Sequence, residues 1–284
     1  MPSGLSEVSA NVVRADDWLR EAKLAGVALA VLPEMFNTGY GLLSPFGAYA
    51  EASDGPTIRH LRDRSRLWKM GIAAGFLERD GRHLHNSLAL CLPDGSVNVY
   101  RKRHLVFWER FRCRPGRSAL VVATPWGRLG LAICADMLYQ GVWDAYRERI
   151  DLAVISAAWP DFASRQDGRK HWLLGHLGPM AAEIPAKVAR DLGVPVLFAN
   201  QCGATETIIP VLGLAMTDRI ADRFAGRSSI CDGCDQPPVL AGSEPCLLLS
   251  EITTSHTRGI RPCRITSPSV AVVTSSAPAR SCSA

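Results

Sequence analysis

The strongest pattern along the chain is a series of short, unbroken apolar runs that alternate with segments whose apolar positions recur at helical spacing. Residues 27–32 (VALAVL) run into Pro33, and residues 129–134 (LGLAIC) run into Ala135 and Asp136. Apolar runs of this length without polar interruption predict strands buried on both faces. Residues 16–25 set Trp18, Leu19, Ala22 and Leu24 among charges, which predicts a surface helix with one apolar face, ended by Gly26. The same reasoning predicts helices over 57–69, 140–149 and 180–192. Strands are predicted over 71–77, 84–92, 97–101, 119–123, 152–156 and 194–199, with 208–215 and 246–252 completing the sheets. Asp80-Gly81 is a hairpin signal between two apolar runs, and Pro93-Asp94-Gly95 marks a second turn. This alternation predicts a mixed α/β architecture with two sheets and outer helices.

Residues 257–284 break the pattern, being rich in Ser, Thr, Pro and Arg with one short apolar stretch at 270–273. They predict a disordered or loosely attached tail, leaving one domain over about residues 1–256. A chain of 284 residues with 47% hydrophobic and 21% charged positions has the balance of a soluble globular protein. The net charge of +5 is too mild, and the basic residues too scattered, to indicate a nucleic-acid partner. No apolar run is long enough for a membrane helix, and residues 1–10 lack the features of a signal peptide. A soluble, cytoplasmic protein is expected. The nine cysteines, at irregular spacings, do not form a secreted disulfide framework. Cys231 and Cys234 make a single C-x2-C pair, where structural zinc sites use two such couples, so no metal is expected.

Among the common signatures, a P-loop, a G-x-S-x-G elbow, a G-x-G-x-x-G loop and an H-E-x-x-H helix are all absent. Three reactive residues remain, each just after an apolar strand, where α/β proteins build their sites. Cys134 closes the run at 129–133; alone it is an ordinary core cysteine, but a strand-to-helix turn would set backbone N–H groups against its sulfur and favour thiolate. Glu34 follows the run ended by Pro33. It is either a solvated loop carboxylate or a desolvated one suited to passing protons. Lys102 lies in the basic run at 101–104, as part of a solvated patch or as fixed charge for an oxyanion.

Together these residues resemble the Glu-Lys-Cys triad of the nitrilase superfamily, the carbon-nitrogen hydrolases. The segments LPEMFNTG (32–39), YRKRHL (100–105) and GLAICAD (130–136) resemble the family's three triad motifs, in its order and at its spacing. Asn86-Ser87, Trp108-Glu109-Arg110 with Pro115-Gly116, Phe198-Ala199-Asn200 and residues 224–228 resemble further family segments, so the likeness runs from about residue 11 to 252. The chain departs from the family at its start, where residues 1–10 offer no opening apolar strand. Loss of that strand would leave backbone groups of a sheet unpaired. The ending after residue 252 also differs.

The resemblance implies a four-layer α-β-β-α sandwich, no cofactor, and hydrolysis of a non-peptide C–N bond in a small amide, carbamoyl or nitrile substrate. It implies Glu34 as proton carrier, Cys134 as nucleophile, Lys102 with the backbone of Ala135 as oxyanion holder, and Glu109 as a second, supporting glutamate. It also implies a homodimer or higher homo-oligomer. Asp136, in a Cys-x-Asp pattern nearer the amidase and carbamoyl-hydrolase branches than the nitrilases, is either a helix cap or a substrate-binding residue. Trp159 is placed with the substrate-binding residues at the start of the loop 159–172, and Arg110, Arg112, Arg114 and Arg117 are either solvated or carboxylate-attracting. A true nitrilase, a non-catalytic interaction protein of the same fold and, more distantly, a metal-dependent phosphoesterase are the competing readings.

Overall fold

The computed structural model describes residues 3–41, 46–106, 108–161, 177–210, 217–234, 236–252, 254 and 269–274. In chain order the helices are α1 (Val8–Leu24), α2 (Pro56–Trp68), α3 (Glu109–Arg112), α4 (Gln140–Asp144) and α5 (Leu177–Leu192). The first four strands are β1 (Leu29–Val31), β2 (Gly71–Asp80), β3 (His83–Cys91) and β4 (Val97–Arg101). Then come β5 (Val121–Thr124), β6 (Gly127–Ile133), β7 (Leu152–Ala157), β8 (Val196–Asn200), β9 (Cys202–Pro210) and β10 (Thr217–Ala225). The last are β11 (Ser229–Cys231), β12 (Val239–Leu240), β13 (Cys246–Glu251) and β14 (Ser269–Thr274).

Among the described residues two six-stranded sheets form, in the orders β13-β14-β1-β2-β3-β4 and β12-β11-β8-β7-β6-β5. The alternation of side chains along a strand sorts the residues into layers. Leu29 and Val31 of β1, with Leu88 and Leu90 of β3, join Leu129, Leu131 and Val154 of the second sheet in one core. Ala30 and Leu32, with Ile72 and Ala74 of β2, turn the other way to meet Trp18 and Leu19 of α1 and Ile58 and Leu61 of α2. Ala181, Val188 and Ala189 of α5 pack with β8 residues Val196 to Phe198. The result is a mixed α/β structure with helices outside two facing sheets. Glu34, Lys102 and Cys134 sit just past the ends of β1, β4 and β6.

Four expectations need correction. The first helix begins at Val8, not residue 16, because buried Asn11 donates to the carbonyls of Gly4 (2.7 Å) and Asn37 (2.8 Å) and ties a polar turn into the fold. Helix α4 stops at Asp144, short of residue 149, and Glu148 takes a left-handed φ of 59°. The strand expected over 208–215 does not extend a main sheet: residues 208–210 end β9, which among the described residues pairs with β10 in a separate antiparallel ribbon, and 211–216 lie outside the described residues. The loose tail is corrected over 269–274, where β14 runs parallel to β1 and antiparallel to β13. Among the described residues no strand precedes α1, but β1 lacks no neighbour: Ala30 pairs with Ala271 on one side and Ile72 on the other. No described helix is long and apolar enough to cross a membrane.

Candidate active site

The loop that carries Glu34 leaves β1 at Leu32, whose N–H continues the parallel pairing to Ala73 O (2.7 Å) before Pro33 ends it. The loop then descends onto β2 at Gly75. A Cβ at Gly75 would meet the Cα of Glu34 at 2.5 Å, so only glycine admits this approach. Glu34 is thereby wholly buried, and both its oxygens are engaged. Oε1 accepts from Lys102 Nζ (2.7 Å) and Asn86 Nδ2 (2.6 Å), and Oε2 accepts from the backbone N–H of Ala158 (2.7 Å). Gln201 Nε2 holds the Glu34 carbonyl at 2.7 Å.

Lys102 follows β4, where its N–H donates to Asn86 O and its carbonyl accepts from Gly116 N–H, both at 2.8 Å. Its ammonium is wholly buried between two carboxylates, lying 2.7 Å from Glu34 and 2.9 Å from Glu109. Glu109, at the start of α3, is also fully buried and accepts from Val106 N–H (2.9 Å). Asn86 bridges the two acids, since its amide nitrogen donates to Glu109 Oε1 as well. Burial acts to lower the lysine pKa, but Glu109 and Glu34 outweigh it and hold the ammonium well above the ordinary range. Burial pushes the Glu109 carboxyl upward against the pull of Lys102. Tyr40 lies beside the cluster, its ring centroid 5.8 Å from Lys102 Nζ and 5.2 Å from the ring of Trp108.

Cys134 begins the turn after β6, buried and with a left-handed φ of 47°. For a residue with a side chain this conformation costs roughly 1–2 kcal/mol and persists only where the surroundings enforce it. Burial first, and the charge of Glu34 second, raise its thiol pKa well above the ordinary value, while Lys102 and the Ala158 N–H pull the other way. The thiolate-favouring environment expected at this turn is therefore corrected. Desolvation and two neighbouring carboxylates, set against one ammonium and one N–H, favour the thiol over the thiolate.

Of the other expected residues, Ala135 follows Cys134 and is buried in the same turn. Asp136 is wholly buried with both oxygens accepting from its own chain, and the indole N–H of Trp159 donates to Leu177 O (2.6 Å). Neither offers a spare polar group for substrate. Most of the loop 159–172 lies outside the described residues. Arg110 donates to Leu105 O (2.9 Å), while Arg114 and Arg117 line an open cleft of about 570 Å³ with His83, His85 and Arg101. His85 neighbours Asn86 on β3, so this cleft lies on the other face of the first sheet from the acids. Cys231 is buried and Cys234 exposed. Sequence reasoning missed Tyr40, Ala158 and Gln201 as members of the site. Two of the three act through a backbone N–H or an amide that no local pattern marks.

The model of the carbon-nitrogen hydrolase family matches residues 1–229. Omega-amidase NIT2 of Homo sapiens is 32% identical over 177 residues, 58% of this chain and 63% of the relative. That of Mus musculus is 28% identical over 264 residues, 89% of this chain and 86% of the relative. A nitrilase of Pyrococcus abyssi is 34% identical over 137 residues, 47% of this chain and 52% of the relative. The chain thus spans less than two thirds of the length of the human and archaeal relatives. In fold it is similar to XC1258 of Xanthomonas campestris, a CN-hydrolase superfamily protein, with a TM-score of 0.66 at 22% identity, covering 86% of this chain and 84% of the other. An amidase from Nesterenkonia sp. gives a TM-score of 0.64 at 23% identity, with the same coverage of both chains. With a family model matched over most of its length and a fold shared with these structures, the chain belongs to the carbon-nitrogen hydrolase family.

Proposed function

We propose that this chain hydrolyses the C–N bond of a small amide or carbamoyl compound through a thioester on Cys134. The reading rests on one observation: a buried ammonium held between two buried carboxylates, with a buried cysteine on a left-handed turn beside them. Moving the thiol proton to Glu34 leaves the net charge of the cluster unchanged, so the buried site makes a thiolate without gaining uncompensated charge. The sulfur attacks the carbonyl carbon, and the oxygen, now negative, is met by Lys102 and the backbone N–H of Ala135. Glu34 returns its proton to the departing ammonia or amine as the C–N bond breaks. Water then gives a proton to Glu34 and its oxygen attacks the thioester. Collapse releases the acid and restores the thiol. Glu109 and Asn86 keep Lys102 and Glu34 in register throughout. The relatives named omega-amidase support the amide reading over the nitrile one, and the Cys-x-Asp pattern agrees with it.

A panel of amides, carbamoyl amino acids and nitriles, scored for ammonia release, tests the reading. Release from amide or carbamoyl compounds by the parent, and none by Cys134→Ala, is the expected result. Release from nitriles alone would move the chain to the nitrilase reaction, and release by Cys134→Ala at the parent rate would overturn the thioester mechanism.

A further inference from the structure

The geometry points to Asp136 as a positioning residue that clasps the Lys102 segment to the nucleophile turn, and we propose that turnover depends on this clasp. The inference rests on the thioester reading above. Lys102 hangs from the first sheet and Cys134 from the second, so something must hold the two strand ends together at the reacting atoms. Asp136 is the described carboxylate that does this. From the lysine side, Tyr100 OH donates to its Oδ2 (2.8 Å), His104 N–H to its Oδ1 (2.9 Å) and Arg103 N–H, more distantly, to Oδ2 (3.5 Å). The His104 ring places Nδ1 2.9 Å from Oδ1. Because a carboxylate only accepts, that nitrogen carries the proton. From the nucleophile side, the N–H of Ile133, immediately before Cys134, donates to Oδ2 (3.2 Å). A second contact crosses the same gap, where the rings of His104 and Tyr139 stack with centroids 3.6 Å apart and planes 11° from parallel.

The residue type matters. Five donors converge on two oxygens, and only a carboxylate accepts all of them, since an Asn would turn its own N–H groups toward N–H groups. A fully buried carboxylate is costly and is poor evidence of a purely stabilising device. Its place beside the left-handed Cys134 gives it a different role. The bond to Ile133 fixes the entry to the strained turn, and the bonds to 100–104 fix the ammonium against it. A shift of about 1 Å between catalytic groups is enough to lose roughly 100-fold in rate.

The test compares Asp136→Asn, His104→Ala and His104→Asn with the parent and with Cys134→Ala, measuring kcat, KM and Tm on an amide that the parent hydrolyses. Asp136→Asn is expected to lower kcat by about 100-fold with KM within about threefold of the parent. His104→Ala, which removes one donor and the stack, is expected to lower kcat about tenfold. His104→Asn returns a side-chain N–H and is expected to recover most of that loss. An unchanged kcat in Asp136→Asn, with only Tm lowered, overturns the clasp, as does an unchanged kcat in His104→Ala or equal impairment of both His104 variants. If Asp136→Asn does not fold, the His104 pair decides. Failure of the thioester reading shows separately, as turnover by Cys134→Ala.

Discussion

The two sheets that meet at the site are assembled in different ways. In the second sheet the strands lie side by side in the order of the chain from β5 to β12, interrupted only by the β9–β10 ribbon. It carries Cys134, the proposed nucleophile, at the end of a strand whose parallel neighbour, β7, follows it directly in sequence. In the first sheet Glu34 follows β1 and Lys102 follows β4, with Glu109 on α3 beyond, but β1 is completed on its far side by β14, from the other end of the sequence. Closing that pairing spans almost the whole chain, so it forms at a larger entropic cost than any contact in the second sheet. The half of the site that carries Glu34 and Lys102 thus depends on a distant strand, while the half that carries Cys134 is locally built. Where the halves meet, the residues that join them are polar and buried: Ala158 N–H on Glu34, Ser156 Oγ on Leu32 O (3.0 Å), and Asp136 on the lysine segment.

This contrast predicts different failures on the two sides. The largest effect falls on chemistry alone: Cys134→Ala lowers kcat by roughly 10⁴-fold or more with a Tm near the parent, because it removes a nucleophile and relieves no buried charge. Lys102→Met damages both activity and fold. It leaves Glu34 and Glu109 facing each other without their counter-ion, and denaturant unfolding should show a loss of about 3–5 kcal/mol. A proline at Ala271 removes the N–H of a strand paired on both sides and should lower Tm by several degrees, with roughly 3 kcal/mol lost. Leu240→Pro, on the exposed edge strand β12, should do much less. Equal sensitivity of the two positions would contradict the difference drawn between the sheets.

The smallest effect is a pH dependence. Burial pushes the thiol of Cys91, in the helix-covered face of the first sheet, up to about 12. Its folded pKa is raised, so its contribution to stability is complete below the unfolded thiol value near 9. It is lost as pH rises toward 12, because the unfolded chain sheds the proton first. Between pH 7.5 and 10 the unfolding free energy of the parent should fall by roughly 1–2 kcal/mol more than that of Cys91→Ala. Parallel pH profiles would show that Cys91 is not the group responsible.

Much of this molecule was legible in its sequence because the signals were local. The runs at 27–32 and 129–133 have no polar residue to place outward, which marks strands covered on both faces, and a reactive residue comes just after each of them. The motifs around Glu34, Lys102 and Cys134 carry their order and spacing along the chain. What was not legible depends on partners. The residues of β14, SVAVVT, are a single apolar stretch in a polar tail, and nothing nearby tells that their partner is at residues 29–31. The start of α1 is hidden because Asn11 is buried through hydrogen bonds to residues that the chain reaches only after folding. Asp136 illustrates both conditions: its position after the cysteine was plain, but its role is set by Tyr100 and His104 from the other sheet.

Partitioning of product in hydroxylamine tests the proposed intermediate most directly. Two amides that share an acyl group but differ in the amine they release are hydrolysed in the presence of hydroxylamine, and the ratio of hydroxamate to acid is measured for each. A common thioester on Cys134 predicts the same ratio for both amides, and neither product from Cys134→Ala. A ratio that changes with the leaving amine, or hydroxamate formed by Cys134→Ala, would contradict it.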